Sequence, residues 1–348
     1  MRRQKTRARI IDIALEAGVS TATVDRVLNT RHGVRPVTIE RVWAAAARLD
    51  ASPTAAPRRP RGRGELRFDF VLPAGAGPSI DDNLHQAVER AGRRLAVATR
   101  FHHFERSRPA TLAEAISRCG QDSTSGVAVL ALEHPLVREA VEQLAQKGVP
   151  VVALLSDLSS SRRVGYAGID NRAAGRTAGY LLGRFLGGRV LGGRAGKVAI
   201  LAGNPLYRSH EEREMGFRSV LRADFRALEV LDPVVGHDAP DANRRHILAL
   251  LARHDDLIGI YSIGSGNRGV VQALQERGKA GDVTFIAHNL TALSRRYLLE
   301  GVADAIIHQD MARIAERALS MLLAHHGPPA AETGLLPVEI VVRENIVT

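Results

Sequence analysis

Aromatic residues are scarce in this sequence: Phe, Trp and Tyr make up 4% of its 348 residues. Its cores must therefore rest on Leu, Val, Ile and Ala. The single cysteine, Cys119, excludes an internal disulfide and a finger-type zinc site. It also agrees with a reducing, cytoplasmic setting. No run of eighteen apolar residues occurs, so no membrane helix is expected. The opening MRRQKTRARI is basic, but residues 10–19 carry Asp12 and Glu16 and no small-residue cleavage site follows, so no secretory signal is expected. Catalytic and metal motifs are also missing. H-E-x-x-H does not occur, and the pairs His102-His103 and His325-His326 lack the i, i+4 spacing of helix-borne ligands, which points to surface or loop histidines. No G-x-S-x-G is present, and Ser265 in Gly264-Ser265-Gly266 is only superficially like a nucleophile elbow. No enzyme, metal or cofactor is expected.

What is abundant is positive charge, unevenly placed. The net charge is +11, and residues 1–65 hold 14 Lys/Arg against 6 Asp/Glu, a surplus of 8 that leaves only +3 for the rest. A short basic head on a nearly balanced body is the footprint of a polyanion binder, although a merely solvated basic tail gives the same count.

Residues 9–50 read as three helices. Ile10, Ile13, Ala14 and Ala17 fall at helical spacing; Gly18 interrupts; then Val24, Val27 and Leu28, and later Ile39, Val42, Ala46 and Leu49, repeat the pattern. Residues 51–65 form an extended, Pro- and Arg-rich linker. From residue 66 the pattern changes. Short apolar runs at 68–72, 127–132, 149–155, 197–201, 257–263, 283–287 and 303–307 alternate with helical stretches at 81–97, 135–147, 172–186, 210–223, 241–253, 267–278, 291–300 and 311–324. This alternation implies doubly wound parallel sheets, and so many units imply two lobes. The lobes are expected over about 66–170 with 310–328, and 171–309 with 329–348.

The segment Ala17-Gly18-Val19-Ser20-Thr21-Ala22-Thr23-Val24-Asp25-Arg26-Val27-Leu28-Asn29 is the most informative. Gly18 permits a tight turn, Ser20 is placed to cap the next helix, and Thr21, Ala22, Asp25, Arg26 and Asn29 fall on the face opposite Val24, Val27 and Leu28. A recognition helix anchors one face and offers polar groups to base edges in this way. Together with Asp12-Ile13-Ala14, Val34, Thr38 and Glu40-Arg41-Val42, in register and without a gap, this segment strongly resembles the DNA-binding head of the lac repressor family. The resemblance implies base reading by Thr21, Ala22 and Arg26, and phosphate contact or capping by Ser20, Thr23 and Asn29. Three departures stand out. Asp25 replaces a small serine, Arg9 and Arg35 replace capping residues and add cations near phosphate, and the linker carries Pro57 and Pro60 besides Pro53. Pro60 falls where the family's minor-groove leucine is expected, so the usual hinge helix is not expected here. Arg58, Arg59, Arg61 and Arg63 are then candidates for tracking the DNA backbone, with plain solvation as the other reading.

The body resembles the family's effector domain, a fold like that of periplasmic sugar-binding proteins. The matching segments are 168–175, Arg213-Glu214-Met215-Gly216-Phe217 and 305–309. The resemblance implies a cleft with Asp170, Asn171, Arg213, Asn267, Asn289 and Gln309 as ligand-binding candidates at strand ends. Asp170 is equally placed to cap a helix, and Arg213 to form a surface ion pair. Where the family often has a sugar-binding Asp, this chain has Gly264 in Ser262-Ile263-Gly264-Ser265-Gly266-Asn267. That loss leaves room for an acidic ligand, and the glycines form a nest suited to an anion. The full G-x-G-x-x-G is absent, which argues against a dinucleotide. The expected protein is a cytoplasmic repressor: a homodimer on a pseudo-palindromic double-stranded operator, answering to a sugar or sugar acid. The alternative is a transport-type solute-binding module with a vestigial head.

Overall fold

The computed structural model describes residues 10–28, 34–49, 66–74, 80–121, 123–187, 195–327 and 334–346. Asn29, Arg58 and Arg59, and with them the linker at 51–65, lie outside the described residues. The chain divides into two units, 1–61 and 62–348.

The described residues of the first unit form three helices, α1 (Ile10–Ala17), α2 (Thr21–Leu28) and α3 (Pro36–Leu49). Ile13, Ala14 and Ala17 of α1, Val24 and Val27 of α2, and Val42 and Ala45 of α3 form its core. These residues recur at three- and four-residue spacing, which puts each set on one helix face. Gly18 turns the chain between α1 and α2 at φ +62. No described residue lies within 4 Å of the place a Cβ would take there, so glycine serves the conformation.

The described residues of the second unit form two sheets. The first is parallel, with β1 (Arg67–Pro73), β2 (Ala98–Phe104), β3 (Gly126–Val129), β4 (Val151–Leu154) and β5 (Gly165–Ala167) in the order β2-β1-β3-β4-β5. Helices α4 (Ile80–Leu95), α5 (Pro109–Cys119) and α6 (Pro135–Gln146) connect its strands. The chain then crosses through α7 (Asn171–Phe185) to the second sheet. Its strands are β6 (Gly196–Ala202), β7 (Leu228–Val230), β8 (Val234–Val235), β9 (Leu257–Ser262), β10 (Thr284–His288), β11 (Ala305–His308) and β12 (Glu339–Val341). They run in the order β12-β11-β10-β9-β6-β7, with β8 also paired to β6, and only β12 is antiparallel. Helices α8 (Arg208–Asp224), α9 (Pro240–Arg253), α10 (Asn267–Glu276) and α11 (Ala292–Leu299) belong to this second lobe, whereas α12 (Met311–Ala324) returns to pack on β3, β4, β5 and α4.

Period-two alternation explains why helices cover both faces of the second sheet. Along β6, Val198 and Ile200 join one core cluster with Ala174, Ala178, Leu182 and Phe217 of α7 and α8. Ala199 and Leu201 join another with Ile247, Val270 and Leu274 of α9 and α10. Such strands read as continuous apolar runs because both faces are buried. All seven apolar runs form strands. Strand β2, helix α5 and the short β5, β7, β8 and β12 were not expected. Strand β2 escapes notice because it lies at a sheet edge, where Arg100, His102 and His103 interrupt any apolar run.

Candidate DNA-recognition helix and effector cleft

Ser20 immediately precedes α2, where its Oγ accepts from Thr23 N–H at 3.1 Å and sits 2.8 Å from Thr23 Oγ1. This satisfies one of the backbone donors that a helix start leaves open, so the hydroxyls of Ser20 and Thr23 are engaged in the cap. Val24 and Val27 hold the other face in the core, while Thr21, Ala22 and Arg26 are exposed and Asp25 is half-buried. Arg35 is exposed just before α3, and its carbonyl accepts from Thr38 and Ile39 N–H. The helix start is therefore served by backbone, without the side-chain cap that a serine at 35 would give.

In the second unit, residues from both lobes converge at the C-terminal ends of the parallel strands, where open α/β sheets bind ligands. Arg106 follows β2, Leu130 follows β3, and Leu155 and Ser156 follow β4; Tyr207, Ser209, His210 and Arg213 come from the start of α8; Asp238, Ile263, Gly264, Ser265, Asn289 and Gln309 complete the lining. The lobes already touch there. Ser156 Oγ accepts from Ser209 N–H at 3.2 Å, and Glu133 N–H donates to Leu206 O at 2.7 Å. The cavity left between them is about 60 Å³, room for a few waters, so a hexose requires the lobes to part.

Arg213 is the central cation, only 4% exposed. Its Nε donates to Asn171 Oδ1 at 2.8 Å and its Nη1 to Ile263 O at 2.9 Å. Both acceptors are neutral, and burial pushes its pKa below the ordinary guanidinium value. Asn171 is itself anchored, with Nδ2 donating to Leu155 O and Tyr166 Oη at 3.3 and 3.0 Å. The R-x-x-G-F string now has a physical reading. A Cβ at Gly216 would lie 2.2 Å from Arg172 O, and one at Gly175 2.0 Å from Arg213 O, so only glycines let α7 and α8 approach this closely. Phe217 stacks on Tyr261 at 4.5 Å, and Tyr261 Oη lies 2.7 Å from His288 Nε2. The glycine sets the helix spacing and the phenylalanine fixes the helix on the sheet, and together they hold Arg213 at the cleft.

Of the six ligand candidates, Arg213, Asn289 and Gln309 line the cavity. Gln309 Nε2 donates to Asn289 Oδ1 at 3.1 Å, and its buried Oε1 has no partner among the described residues. Asn171 lies behind Arg213 and orients it. Asp170 is exposed and caps α7, its carboxylate accepting from Ala173 N–H at 2.9 Å. Asn267 opens α10 and accepts from Ser262 Oγ at 2.6 Å. Neither Asp170 nor Asn267 lines the cavity. The alternative of a surface ion pair for Arg213 is corrected by its burial. Arg106, Ser156, Ser209, His210 and Asp238 also line the cavity and are not among the candidates drawn from the sequence. His210 is buried beside Arg213, and burial lowers its pKa to about 4, so it is neutral at pH 7.

His102 is not a loop residue but sits on β2, its Nε2 3.4 Å from Asp69 Oδ1, and Cys119 lies close by. Both oxygens of Asp69 accept from Arg100, at 2.7 and 2.9 Å. The carboxylate is thus already matched by a bidentate cation.

A two-lobed fold with polar side chains gathered at its strand ends, carrying a helix-turn-helix on the same chain, defines a class of proteins that join a DNA-binding head to a binding-protein-like body. Comparison with known proteins makes this specific. Residues 68–327 match a periplasmic binding protein domain, and residues 9–53 match the model of bacterial regulatory proteins of the lacI family. The chain belongs to the lacI family. It is 26% identical over 326 residues to the HTH-type transcriptional repressor PurR of Erwinia tasmaniensis, covering 91% of this chain and 89% of that protein. It is 25% identical over 336 residues to the PurR of Yersinia enterocolitica, with the same coverage. The body shares its fold with a glucose-galactose binding protein of Geobacillus stearothermophilus (TM-score 0.72, 18% identity, 81% of this chain and 99% of that one). It shares it also with a solute-binding protein of Burkholderia graminis solved with D-arabinose (TM-score 0.74, 21% identity, 82% and 98%). Among the described residues, no helix is long and apolar enough to cross a membrane.

Proposed function

We propose that this protein is a transcriptional repressor that binds double-stranded operator DNA as a homodimer and answers to a sugar or sugar acid held between its lobes. The observation that carries this reading is a capped helix that anchors Val24 and Val27 and exposes Thr21, Ala22 and Arg26, on a chain that also holds a cleft lined by Arg213, Asn289 and Gln309. In this reading Arg26 takes a guanine edge and Thr21 and Ala22 the neighbouring bases. Ser20, Thr23, Asn29, Arg35, Arg58 and Arg59 set the register on phosphates. The ligand opens the nearly closed cleft, satisfies Gln309 Oε1, and shifts the balance between two lobe arrangements. It changes DNA affinity only if it binds the DNA-bound and DNA-free forms differently.

Selection from a random-sequence DNA pool with the full-length protein tests the reading. It should enrich an inverted repeat of two half-sites, one for each head of the dimer. Failure to enrich any sequence, with no salt dependence of DNA binding, contradicts a repressor and favours a solute-binding module with a vestigial head.

A further inference from the structure

The resemblance places a ligand-binding carboxylate at position 264, where this chain has glycine. A carboxylate occupies that space all the same, delivered by another loop. Asp238 lies between β8 and α9, and a Cβ built on Gly264 would fall 2.4 Å from Asp238 Oδ1. One built on Gly203 would fall 2.2 Å from the same oxygen and 2.7 Å from His210 Cε1. Asp238 can therefore stand where it does only because positions 203 and 264 carry no side chain. Its Oδ1 accepts from Ser265 N–H at 2.7 Å. Its Oδ2 takes no hydrogen bond from any described residue, and the side chain lines the cavity with Arg213. The loop that holds it is strained: His237 and Asp238 are both left-handed, at φ 50 and 60, although neither is glycine. Such a conformation costs free energy and persists only where the surroundings impose it, commonly at a working site.

We infer that Asp238 is the relocated hydroxyl-reading group of this cleft, and that the ligand is a polyol presenting adjacent hydroxyls to it. This rests on the ligand reading proposed above. A carboxylate offers acceptors only, so its ligand partner must donate. The side chain of Arg213 offers donors only, and its Nη2 has no acceptor among the described residues. A sugar hydroxyl donates and accepts at once, so adjacent hydroxyls bridge Asp238 to Arg213. A group that only accepts, such as a fully ionised phosphate, is repelled by Asp238. A sugar acid satisfies the same geometry if its own carboxylate lies on the Arg213 and Arg106 side. The shared chemistry is the hydroxyl pair, and the acid group is what separates the two sources.

Calorimetric titration of the full-length protein with D-galactose, L-arabinose and myo-inositol, and with D-gluconate and D-galacturonate, tests this. Wild type should bind at least one of these compounds; binding confined to the acids identifies the Arg213 partner as a carboxylate, and binding of the neutral compounds identifies it as a hydroxyl. Asp238→Asn keeps an acceptor for Ser265 N–H and should weaken binding at least about tenfold while leaving the melting temperature close to wild type. Gly264→Ala, which crowds Asp238 out of place, should also weaken it. The double variant Asp238→Gly with Gly264→Asp, which returns the carboxylate to the strand end, should regain affinity relative to Asp238→Gly alone. The inference is overturned if no compound binds wild type, if Asp238→Asn binds as tightly as wild type, or if the double variant regains nothing. Operator selection is independent of all these outcomes, so an enriched inverted repeat without polyol binding removes this inference and leaves the DNA-binding reading standing.

Discussion

The head exposes the side chains proposed to read DNA, whereas the cleft buries those proposed to hold a ligand. In α2, Thr21, Ala22 and Arg26 project into solvent from a helix held by two valines and a serine cap. In the body, Arg213 is 4% and Gln309 2% exposed, and each is held by asparagines that belong to other elements. The head is built for a partner that stays outside the fold, because DNA arrives with its own groove and phosphates. The cleft must replace water around a small ligand, so its polar groups are oriented before the ligand arrives. The two regions should therefore fail differently. Removing a buried, hydrogen-bonded side chain of the cleft such as Arg213 should act on stability and ligand affinity together. A change on the exposed face of α2 should act on DNA binding alone.

The largest effect is expected from Arg213→Leu. It strands Asn171 Oδ1 and Ile263 O, two buried acceptors, and should cost about 2–5 kcal/mol of stability along with ligand binding. Thermal or denaturant unfolding measures the first and calorimetry the second. A variant as stable as wild type breaks the contrast with the head.

Acid should separate the two regions next. His210 is buried among Asp238, Arg213 and Arg106, and its pKa falls from the usual 6.5 to about 4. The unfolded chain thus binds a proton that the folded one refuses between those values, and stability should fall as pH drops from about 6.5 to about 4 and level off below. The loss from this group is roughly 3 kcal/mol, and His288, whose pKa burial also lowers, adds to it in the same direction. The pH dependence of unfolding of wild type against His210→Gln checks this; identical slopes across the window contradict it.

On the head, Arg26→Ala should cost roughly 1–3 kcal/mol in binding to the selected DNA and relax preference at one base position, with unfolding unchanged. Retained sequence preference means that Arg26 is not a reader. The smallest effect belongs to Ser20→Ala, which loses the cap at Thr23 N–H and should cost about 1 kcal/mol of head stability. Circular dichroism should show earlier helix melting, and Ser20→Asp should restore it.

The same contrast explains what could be read in advance. The head is local: turn, cap, buried valines and the exposed candidate readers lie within thirteen consecutive residues, so the string carries nearly the whole candidate site. The strands of both sheets were legible wherever two buried faces made an apolar run, as in 257–263. The cleft was legible only in part. Arg213, Asn289 and Gln309 follow family strings, but Asp238 follows none and reaches the cavity by a pair of left-handed residues between a two-residue strand and a helix. Gly203 and Gly264 were its only trace, because a glycine can record the side chain that fills the space beside it. Asp170 and Asn267 lie off the cavity lining for a related reason. The first turn of a helix uses the same polar residues for capping that a cleft uses for ligands, and at Asp170 the local bond to Ala173 N–H prevails.

The two regions are joined by the claim that a ligand in the cleft changes what the head does. The most direct test is the affinity of full-length wild type for its selected DNA, measured at fixed salt with and without a saturating polyol that calorimetry shows to bind. A change of about 5–150-fold, with the reciprocal change in polyol affinity when DNA is present, is the expected result. Equal affinities in the presence and absence of the ligand contradict it.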